Sequence, residues 1–350
     1  MMTDVGDTST ALRTRGRWKR LALFGLAVPA VTAAAGVLVA RVTPRPFTRA
    51  VRWGFEWDAA RVTAALGAHE PAGVARVTDQ QYRDGDPDAH LDVYFPEAAQ
   101  GPLPTVIWTH GGGWISCHKT DFAPYYRLLA AAGFTVVSLD YSLGPDQTYP
   151  TAVQQLNDAH AYLVANAERL HVDPQRIVLA GDSAGAQLSS QLAALITNPD
   201  YAREVGVTPA LRPDQLRGVV LNCGVYDVRK VVGLPGILGW AMDQLVWSSL
   251  GTKDFDDSAA VAQMSTILHV TGQFPPTYIS GGNADPLTDS QSVPLAELLR
   301  GLDVDVTTVF YPAGHKPALG HEYQFKLDNE DGRLALERTI EFLRKHTEQD

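Results

Sequence analysis

The stretch VLAGDSAGAQ, residues 178–187, contains the pattern G-x-S-x-G centred on Ser183. The β-branched run that leads into it predicts a strand, and the apolar spacing that follows predicts a helix over residues 184–196. A sharp strand-to-helix turn requires small residues two positions before and after the serine, and it presents the hydroxyl at a helix N-terminus. We therefore interpret Ser183 as a nucleophile rather than as a simple helix N-cap.

A glycine-rich segment, THGGGW at residues 109–114, follows another predicted strand. Consecutive glycines let backbone N–H groups turn into a cavity without obstruction from a Cβ atom. Ahead of a G-x-S-x-G turn, such a loop supplies part of an oxyanion hole, which the residue after the nucleophile completes. The sequence predicts Gly112, Gly113 and Ala184 as the donors. We expect His110 to hold the loop by hydrogen bonding and to have no catalytic role.

The segment GGNADPLTDSQ, residues 281–291, is the expected location of the acid in a serine–acid–histidine triad. That acid lies on a loop after a late strand and comes between the serine and the histidine along the chain. Asp285 is the preferred candidate because it comes first after the predicted strand, although a turn before Pro286 would also account for it. Asp289 is the alternative, and it also suits the first turn of the following helix.

The chain beyond residue 74 alternates short β-branched runs with helical patterns. Continuously apolar strands separated by helices indicate the α/β class, with a mostly parallel sheet covered by helices on both faces. The interval 227–274 breaks the alternation, and its length predicts a helical lid inserted into a domain of residues 74–350. Helices are predicted over residues 122–132, 152–170, 184–196, 292–302 and 332–346.

The N-terminal region differs in composition from the rest of the chain. Residues 1–20 form a basic arm, and residues 21–40 form a run of twenty residues without a charge. This length spans a bilayer core, so we predict a single-pass membrane anchor with the catalytic domain on the extracytoplasmic side. The alternative is a cleaved signal peptide followed by secretion. Residues 41–73 are predicted as a juxtamembrane region whose amphipathic helix, 44–66, lies on the membrane or covers the site.

The charge balance argues against one class of partner. The net charge is −10, but residues 1–52 carry nine Lys and Arg against two Asp, and the remainder carries 20 basic against 37 acidic residues. An acidic main body is unsuited to nucleic acid, because binding there depends on neutralising phosphates. Cys117 and Cys223 are interpreted as structural, and their pairing stays open, as does the oligomeric state. No motif indicates a metal or a cofactor.

Four motifs together resemble a known family: HGGGW, GDSAG, the segment DYSLGPDQTYPTAVQQLNDA between them, and D-P-L-x-D. They are similar to the hormone-sensitive-lipase-like branch of the α/β-hydrolases and its bacterial esterase relatives, over about residues 75–347. The resemblance implies an α/β-hydrolase fold with an eight-stranded sheet, hydrolysis of carboxylic esters without a cofactor, and a triad of Ser183, Asp285 and a histidine. HGGGW also occurs in relatives that cleave arylformamides, so the choice between ester and amide stays open here.

The stretch YPAGHKPALGHEYQF, residues 311–325, offers two histidines as the general base. Both lie close enough to the end of the last predicted strand to reach the edge of the sheet. His321 is preferred because a polar residue, Glu322, and then an aromatic residue, Tyr323, follow it. The catalytic histidine of the family that this chain resembles is followed by the same pattern. Lys316, beside His315, opposes formation of the imidazolium that the reaction requires. His315 remains the alternative base.

Three tryptophans, Trp114, Trp240 and Trp247, are candidates for lining an acyl pocket, although packing is the commoner role for such aromatics. The sequence as a whole predicts a membrane-anchored or exported serine esterase that acts through an acyl-enzyme on a small-molecule or lipid ester. The alternatives are an arylformamide or amide hydrolase that uses the same triad, and a catalytically silent binding module tethered to the membrane.

Overall fold

A single sheet of eight strands forms the centre of the fold, in the order β1-β2-β4-β3-β5-β6-β7-β8. The computed structural model describes residues 41–256 and 258–348. The pairs β1–β2 and β2–β4 are antiparallel and all other pairs are parallel, which confirms the predicted α/β-hydrolase fold with a mostly parallel sheet. The strands are β1 (Val74–Gln81), β2 (His90–Pro96), β3 (Leu103–Thr109), β4 (Thr135–Leu139), β5 (Val172–Asp182), β6 (Leu216–Asn222), β7 (Thr277–Gly281) and β8 (Val306–Phe310).

Nine α-helices accompany the sheet in the described part of the chain. They are α1 (Arg45–Leu66), α2 (Ala123–Ala131), α3 (Thr151–Ala165), α4 (Ala184–Thr197), α5 (Pro199–Val205), α6 (Gly236–Leu250), α7 (Ala259–Met264), α8 (Val293–Gly301) and α9 (Glu330–Thr347). Four of the five helices predicted within the domain begin and end within about two residues of those observed, while α3 ends five residues before its predicted limit.

The sheet is buried on both faces, as a parallel sheet must be. Successive side chains of a strand point to opposite faces. Ile107 and Leu179 therefore belong to one apolar core, which the buried residues of α3, α4 and α8 complete. Their neighbours Trp108 and Ala180 belong to a second core, formed with α1, α2 and α9. Two cores, one on each side of the sheet, fix the strands rigidly and so fix the loops at their ends.

The carboxyl ends of β3, β5, β7 and β8 share one edge of the sheet, because these strands run parallel. The glycine loop follows β3, Ser183 follows β5 directly, Asp285 follows β7, and both candidate histidines follow β8. The carboxyl edge of such a sheet is the usual position of an active site. The topology therefore gathers four segments that are widely separated in the sequence.

The basic arm and the candidate membrane segment, residues 1–20 and 21–40, lie outside the described residues. Among the helices of residues 41–256 and 258–348, none combines the length and the apolar character needed to cross a bilayer. The helix predicted over residues 44–66 is observed as α1. Helices α6 and α7 lie within the interval 227–274, for which a lid was predicted.

Candidate active site

Ser183 lies on a strained turn between β5 and α4. Its backbone dihedrals are φ 51° and ψ −118°, in a region that residues with a Cβ atom rarely occupy. The turn is possible because the surrounding backbones approach very closely. A Cβ atom on Gly185 would lie 2.0 Å from the carbonyl oxygen of Thr109, and one on Gly181 would lie 2.5 Å from the backbone of Gly185. The two glycines of G-x-S-x-G are thus required by packing.

Three side chains form a hydrogen-bonded series across the edge of the sheet. Nε2 of His321 lies 2.9 Å from Oγ of Ser183, and Nδ1 of the same ring lies 2.7 Å from Oδ2 of Asp285. With Nδ1–H donating to the carboxylate, Nε2 is left as the acceptor for the serine hydroxyl. This geometry allows the ring to take a proton from Ser183 while Asp285 stabilises the resulting charge.

Asp285 and His321 are both held in place by neighbouring groups. Asp285 is buried, and its Oδ1 accepts the backbone N–H of Leu287 at 2.9 Å. Loss of water around the ring lowers the pKa of His321, but its interactions with Cys223, Asp285 and Glu322 outweigh that effect and raise the pKa above its usual value. The imidazole therefore binds a proton more readily than an ordinary histidine.

The glycine loop has a backbone conformation that favours glycine. Gly112 and Gly113 have φ values of 87° and 60°, and a Cβ atom on Gly112 would lie 2.3 Å from the carbonyl oxygen of Ser116. Both glycines, together with Ser183 and Ala184, line one cavity. Within the described residues neither glycine N–H donates a hydrogen bond, and the N–H of Ala184 lies in the first turn of α4, where it lacks an acceptor in the helix.

His110 supports this loop from behind. Its buried ring stacks on Tyr141 with ring centroids 4.5 Å apart, and its Nδ1 donates to the carbonyl oxygen of Gly111 at 3.0 Å. The hydroxyl of Tyr141 donates to the carbonyl oxygens of His110 and Gly111 at 3.0 and 3.2 Å. Burial lowers the pKa of His110 to about 4, so the ring is neutral near pH 7 and suits a structural role.

A second carboxylate, Asp182, joins the loop to the turn. Its Oδ1 accepts Nε1–H of Trp108 at 2.8 Å, and its Oδ2 accepts the backbone N–H of Gly111 at 2.9 Å. Burial and the neighbouring carboxyl of Glu322 raise the pKa of Asp182 well above its usual value. The pKa of Glu322 is also raised, chiefly by burial, and the two carboxyl groups are within hydrogen-bonding contact. Two carboxyls so arranged share a proton more readily than isolated ones do.

The cavity above Ser183 has a volume of about 420 Å³ and is mainly apolar. This size lies within the usual range for small-molecule sites. One wall comes from α1 and another from α6, while Glu322, Asp285 and His321 supply the polar part. The apolar lining consists of Phe55, Ala59, Val62, Trp114, Phe122, Val225, Leu238, Ala241, Met242, Leu245, Pro286 and Leu287.

The two alternative residues of the predicted triad are placed elsewhere. Nε2 of His315 lies 2.9 Å from Oδ2 of Asp331, in the first turn of α9, and its ring contacts Tyr311. Asp289 is exposed in the helical turn after the Asp285 loop. The structure therefore brings together Ser183, Asp285 and His321, and it directs His315 and Asp289 into local roles.

Two of the three tryptophans proposed as pocket residues do not line the cavity, which corrects that prediction. Trp114 does line it, and its Nε1–H donates to Oε1 of Gln187 at 3.0 Å. Trp240 is 44% exposed, and Trp247 is buried with the ammonium of Lys253 3.8 Å from its ring centroid. The reason is helical geometry. The cavity-lining residues of α6 follow an i, i+3, i+4, i+7 pattern from residue 238, and positions 240 and 247 lie on the opposite face.

Sequence reasoning missed Asp182, Glu322 and Cys223 as participants. Asp182 and Glu322 directly neighbour Ser183 and His321 in the sequence, which is a usable signal. Cys223 follows β6, the strand beside β5, and its thiol lies near His321. One ligand atom each from Cys223, Asp285 and His321 fall within 4.8 Å of one another. Those three could hold a soft metal ion, although Asp285 and His321 are already hydrogen bonded to each other.

The fold is that of the α/β-hydrolases, and a serine on a strand-to-helix turn, hydrogen bonded to a histidine that contacts a buried carboxylate, is the arrangement found in their hydrolytic members. Comparison with known proteins agrees. Residues 91–299 match the BD-FAE family, and the chain belongs to it. Carboxylesterase NlhH of Mycobacterium tuberculosis is 39% identical over 245 residues, which cover 69% of this chain and 72% of that protein.

Solved structures give the same result. Esterase B from Lactobacillus rhamnosis, crystallised in an inhibited form, has a TM-score of 0.72 at 27% identity and covers 85% of this chain and 96% of its own. The esterase of Pyrobaculum calidifontis has a TM-score of 0.68 at 25% identity, covering 85% and 93%. The predicted resemblance to bacterial esterases is confirmed, and the protein is a carboxylic ester hydrolase with small-molecule ester substrates.

Proposed function

We propose that this protein hydrolyses carboxylic esters through an acyl-enzyme formed on Ser183. The single observation that supports this most directly is the continuous series Ser183 Oγ, His321, Asp285, with separations of 2.9 and 2.7 Å. Oγ attacks the carbonyl carbon as its proton passes to Nε2 of His321. The imidazolium then gives that proton to the leaving alcohol, and the acyl group remains bound to the serine.

Deacylation repeats the route with water in place of the serine hydroxyl. Water gives a proton to Nε2 and attacks the acyl carbon, and the proton returns to Oγ as the carboxylic acid leaves. Both steps pass through a tetrahedral oxyanion. The N–H groups of Gly112, Gly113 and Ala184 are assigned to it, because they border the same cavity and lack other partners in the described part of the chain.

The cavity supports an ester with an apolar acyl group. Its apolar walls from α1 and α6 can surround a hydrocarbon chain, and burying one methylene stabilises a complex by about 0.8 kcal/mol. The 420 Å³ volume accommodates an acyl chain beyond butyrate. Rate per enzyme should therefore increase from acetyl to hexanoyl esters in a soluble p-nitrophenyl series.

Attachment to a membrane is part of the proposal. The charge-free run 21–40 has the length of a bilayer span and is flanked by basic residues on both sides, which supports an N-terminal anchor with the catalytic domain outside the cytoplasm. Extraction of isolated membranes with alkaline carbonate tests this, since an anchored chain stays in the pellet and a processed, secreted chain is found in the medium.

The test of the reaction is a substrate panel with matched variants. Wild type should hydrolyse p-nitrophenyl esters faster than the corresponding formanilides, and a fluorophosphonate should label Ser183, as identified by peptide mass. Ser183→Ala should lose turnover by at least about a thousandfold while keeping its circular dichroism spectrum. Ser290→Ala, at an exposed serine, is the control and should behave as wild type. Turnover retained in Ser183→Ala would overturn the assignment of the nucleophile.

A further inference from the structure

The exposed large apolar side chains of the described residues are concentrated on two segments. One is α1 from residue 48 onward, and the other runs from residue 234 to the first turns of α6. Together these segments, here called the apolar rim, contain seven of the ten such side chains in residues 41–256 and 258–348. The seven are Trp53, Phe55, Trp57, Leu234, Ile237, Leu238 and Trp240.

The two segments of the apolar rim meet at the mouth of the cavity. Phe55 of α1 and Leu238 of α6 both line it. A Cβ atom on Gly113 would lie 3.3 Å from Leu245 and 3.5 Å from Phe55, so both helices approach the glycine loop. Oγ1 of Thr48 and Oγ of Ser248 are 2.9 Å apart, which fastens α1 to α6. Phe55 and Leu238 therefore join the apolar rim to the cavity, while Trp53, Trp57 and Trp240 lie on the outer faces of the same two helices.

The outermost residues of the rim do not contribute to the cavity itself. Ile237 is 80% exposed and Trp53 is 71% exposed, and neither lines the cavity. Trp57 lies one helical turn after Trp53, with the guanidinium of Arg61 4.7 Å from its ring centroid. Leaving such side chains in water is unfavourable, by about 1.5–3 kcal/mol for each large one. An extended apolar surface of this kind marks a binding site.

We propose that the apolar rim docks on a lipid surface, so that an ester substrate enters the cavity directly from the lipid. The chain itself indicates this occupant. Its charge-free run of twenty residues ends at Ala40. Seven residues separate that run from Thr48, the first residue of the α1 segment of the apolar rim. A segment of that length and composition belongs in a bilayer. The inference rests on the membrane attachment and the ester hydrolysis proposed above.

The charge and the residue types of the apolar rim also fit a lipid surface. Helix α1 carries four arginines against Glu56 and Asp58, in contrast to the acidic body of the protein. Basic residues beside an inserted apolar face are attracted to anionic lipid headgroups. Tryptophan prefers the boundary between hydrocarbon and water, where its ring is buried and its N–H stays hydrated. The rim thus combines the side chains of an interfacial helix with the opening of an apolar cavity.

A kinetic experiment separates docking from chemistry. The full chain is reconstituted in vesicles of phosphatidylcholine and phosphatidylglycerol. It is assayed with p-nitrophenyl palmitate embedded in the vesicles and with water-soluble p-nitrophenyl butyrate. The double variant Trp53→Glu/Ile237→Glu should lose about tenfold or more on the embedded ester, because charged side chains resist entry into the interface. Its rate on the soluble ester should stay within about twofold of wild type, since neither residue lines the cavity.

The matched control uses the exposed apolar residues outside the rim. Leu268→Glu/Leu298→Glu introduces the same charges at side chains that are 44% and 37% exposed. Both of its rates should follow wild type. Equal losses on the embedded ester in the two double variants, or no loss in the rim variant, would overturn the proposal. If wild type hydrolyses neither ester, the proposed function fails, and the labelling experiment below still tests docking.

A physical measurement of docking completes the test. Ile237→Cys and Leu298→Cys are labelled with an environment-sensitive fluorophore, with the wild-type chain as the background because both of its cysteines are buried. Brominated lipids in the vesicles should quench the label at 237 and leave the label at 298 unaffected. Absence of quenching at 237 would overturn the proposal. The label at 237 is also measured in detergent solution without vesicles. If it becomes less accessible to solvent there as the protein concentration increases, the rim would instead be assigned to contact with a second copy of the chain.

Discussion

Asp182 accepts a hydrogen bond from the backbone N–H of Gly111 at 2.9 Å, and this contact ties the strand-to-helix turn to the glycine loop. The other carboxylate oxygen accepts the indole N–H of Trp108, in the strand that leads to that loop. Asp182 is fully buried, so each of these bonds forms away from water, where an unpaired donor is costly. Asp182, the residue before Ser183, therefore connects the turn to the loop that carries the proposed oxyanion donors.

Asp182→Ala is predicted to destabilise the protein and to slow it. The change leaves two buried donors, on Trp108 and Gly111, without partners, which costs about 2–5 kcal/mol of unfolding free energy. Urea unfolding followed by fluorescence measures this cost. The rate per folded molecule should also fall, because the glycine loop loses its connection to the turn. Asp182→Asn keeps the volume and one acceptor, so its loss of stability should be smaller. Equal stability of wild type and Asp182→Ala would contradict the structural role.

The two histidines after β8 are predicted to respond differently to substitution. His321→Ala removes the proposed base and should reduce kcat by at least about a thousandfold, with little effect on the circular dichroism spectrum. His315→Ala removes the bond to Asp331 and should cost about 1 kcal/mol of stability while leaving kcat within a few-fold of wild type. The reverse pattern in the kinetics would make His315 the base.

The sequence predicted the structure best at positions where the backbone accepts only one residue type. The pattern around Ser183 identified the turn, since only glycine permits a backbone approach as close as that of Gly185 to Thr109. Parallel strands then placed the glycine loop and the acid loop at the same edge of the sheet. Strand ends and motif order thus sufficed for the fold and for the neighbourhood of the site.

The sequence did not show which face of a helix borders the cavity or which distant residues are in contact. Trp240 and Trp247 belong to a helix whose composition is apolar on all sides, so spacing alone did not show which face borders the cavity. The contact between Asp182 and Glu322 joins residues 140 positions apart, and no local pattern encodes it. The extent of the apolar rim is a property of the assembled surface, since α1 and the start of α6 meet only in the fold.

Gly185→Ala is predicted to prevent correct folding of the site. The added methyl group would lie 2.0 Å from the carbonyl oxygen of Thr109, a separation that requires the backbone of β3 or α4 to move. Soluble yield and the midpoint of thermal unfolding should both fall sharply. The free energy of unfolding should decrease by several kcal/mol. Gly101→Ala, where the added methyl group meets nothing within 4 Å, is the matched control and should be neutral. A stable, active Gly185→Ala enzyme would contradict this prediction, because the turn would then accommodate a methyl group at residue 185.

The pH dependence of the reaction is predicted from the environment of His321. The base must be neutral to accept the serine proton, and its pKa is raised above the usual value for histidine. kcat/KM should therefore fall as the pH decreases through that raised pKa, and the acidic limb should lie above about pH 6.5. The activity is full on the alkaline side of the limb and is lost as the imidazole becomes protonated.

Glu322→Gln tests the origin of that limb. Oε1 of Glu322 lies 3.9 Å from Nε2 of His321, and its negative charge helps to hold the proton on the ring. Removing the charge should lower the pKa of His321 and move the acidic limb to lower pH. At a pH below the wild-type midpoint, the variant should then be more active relative to its own plateau than wild type. Glu330→Gln, at an exposed carboxyl in the first turn of α9, should leave the limb in place. A limb that stays in place or shifts to higher pH in Glu322→Gln would contradict the role assigned to the charge of Glu322.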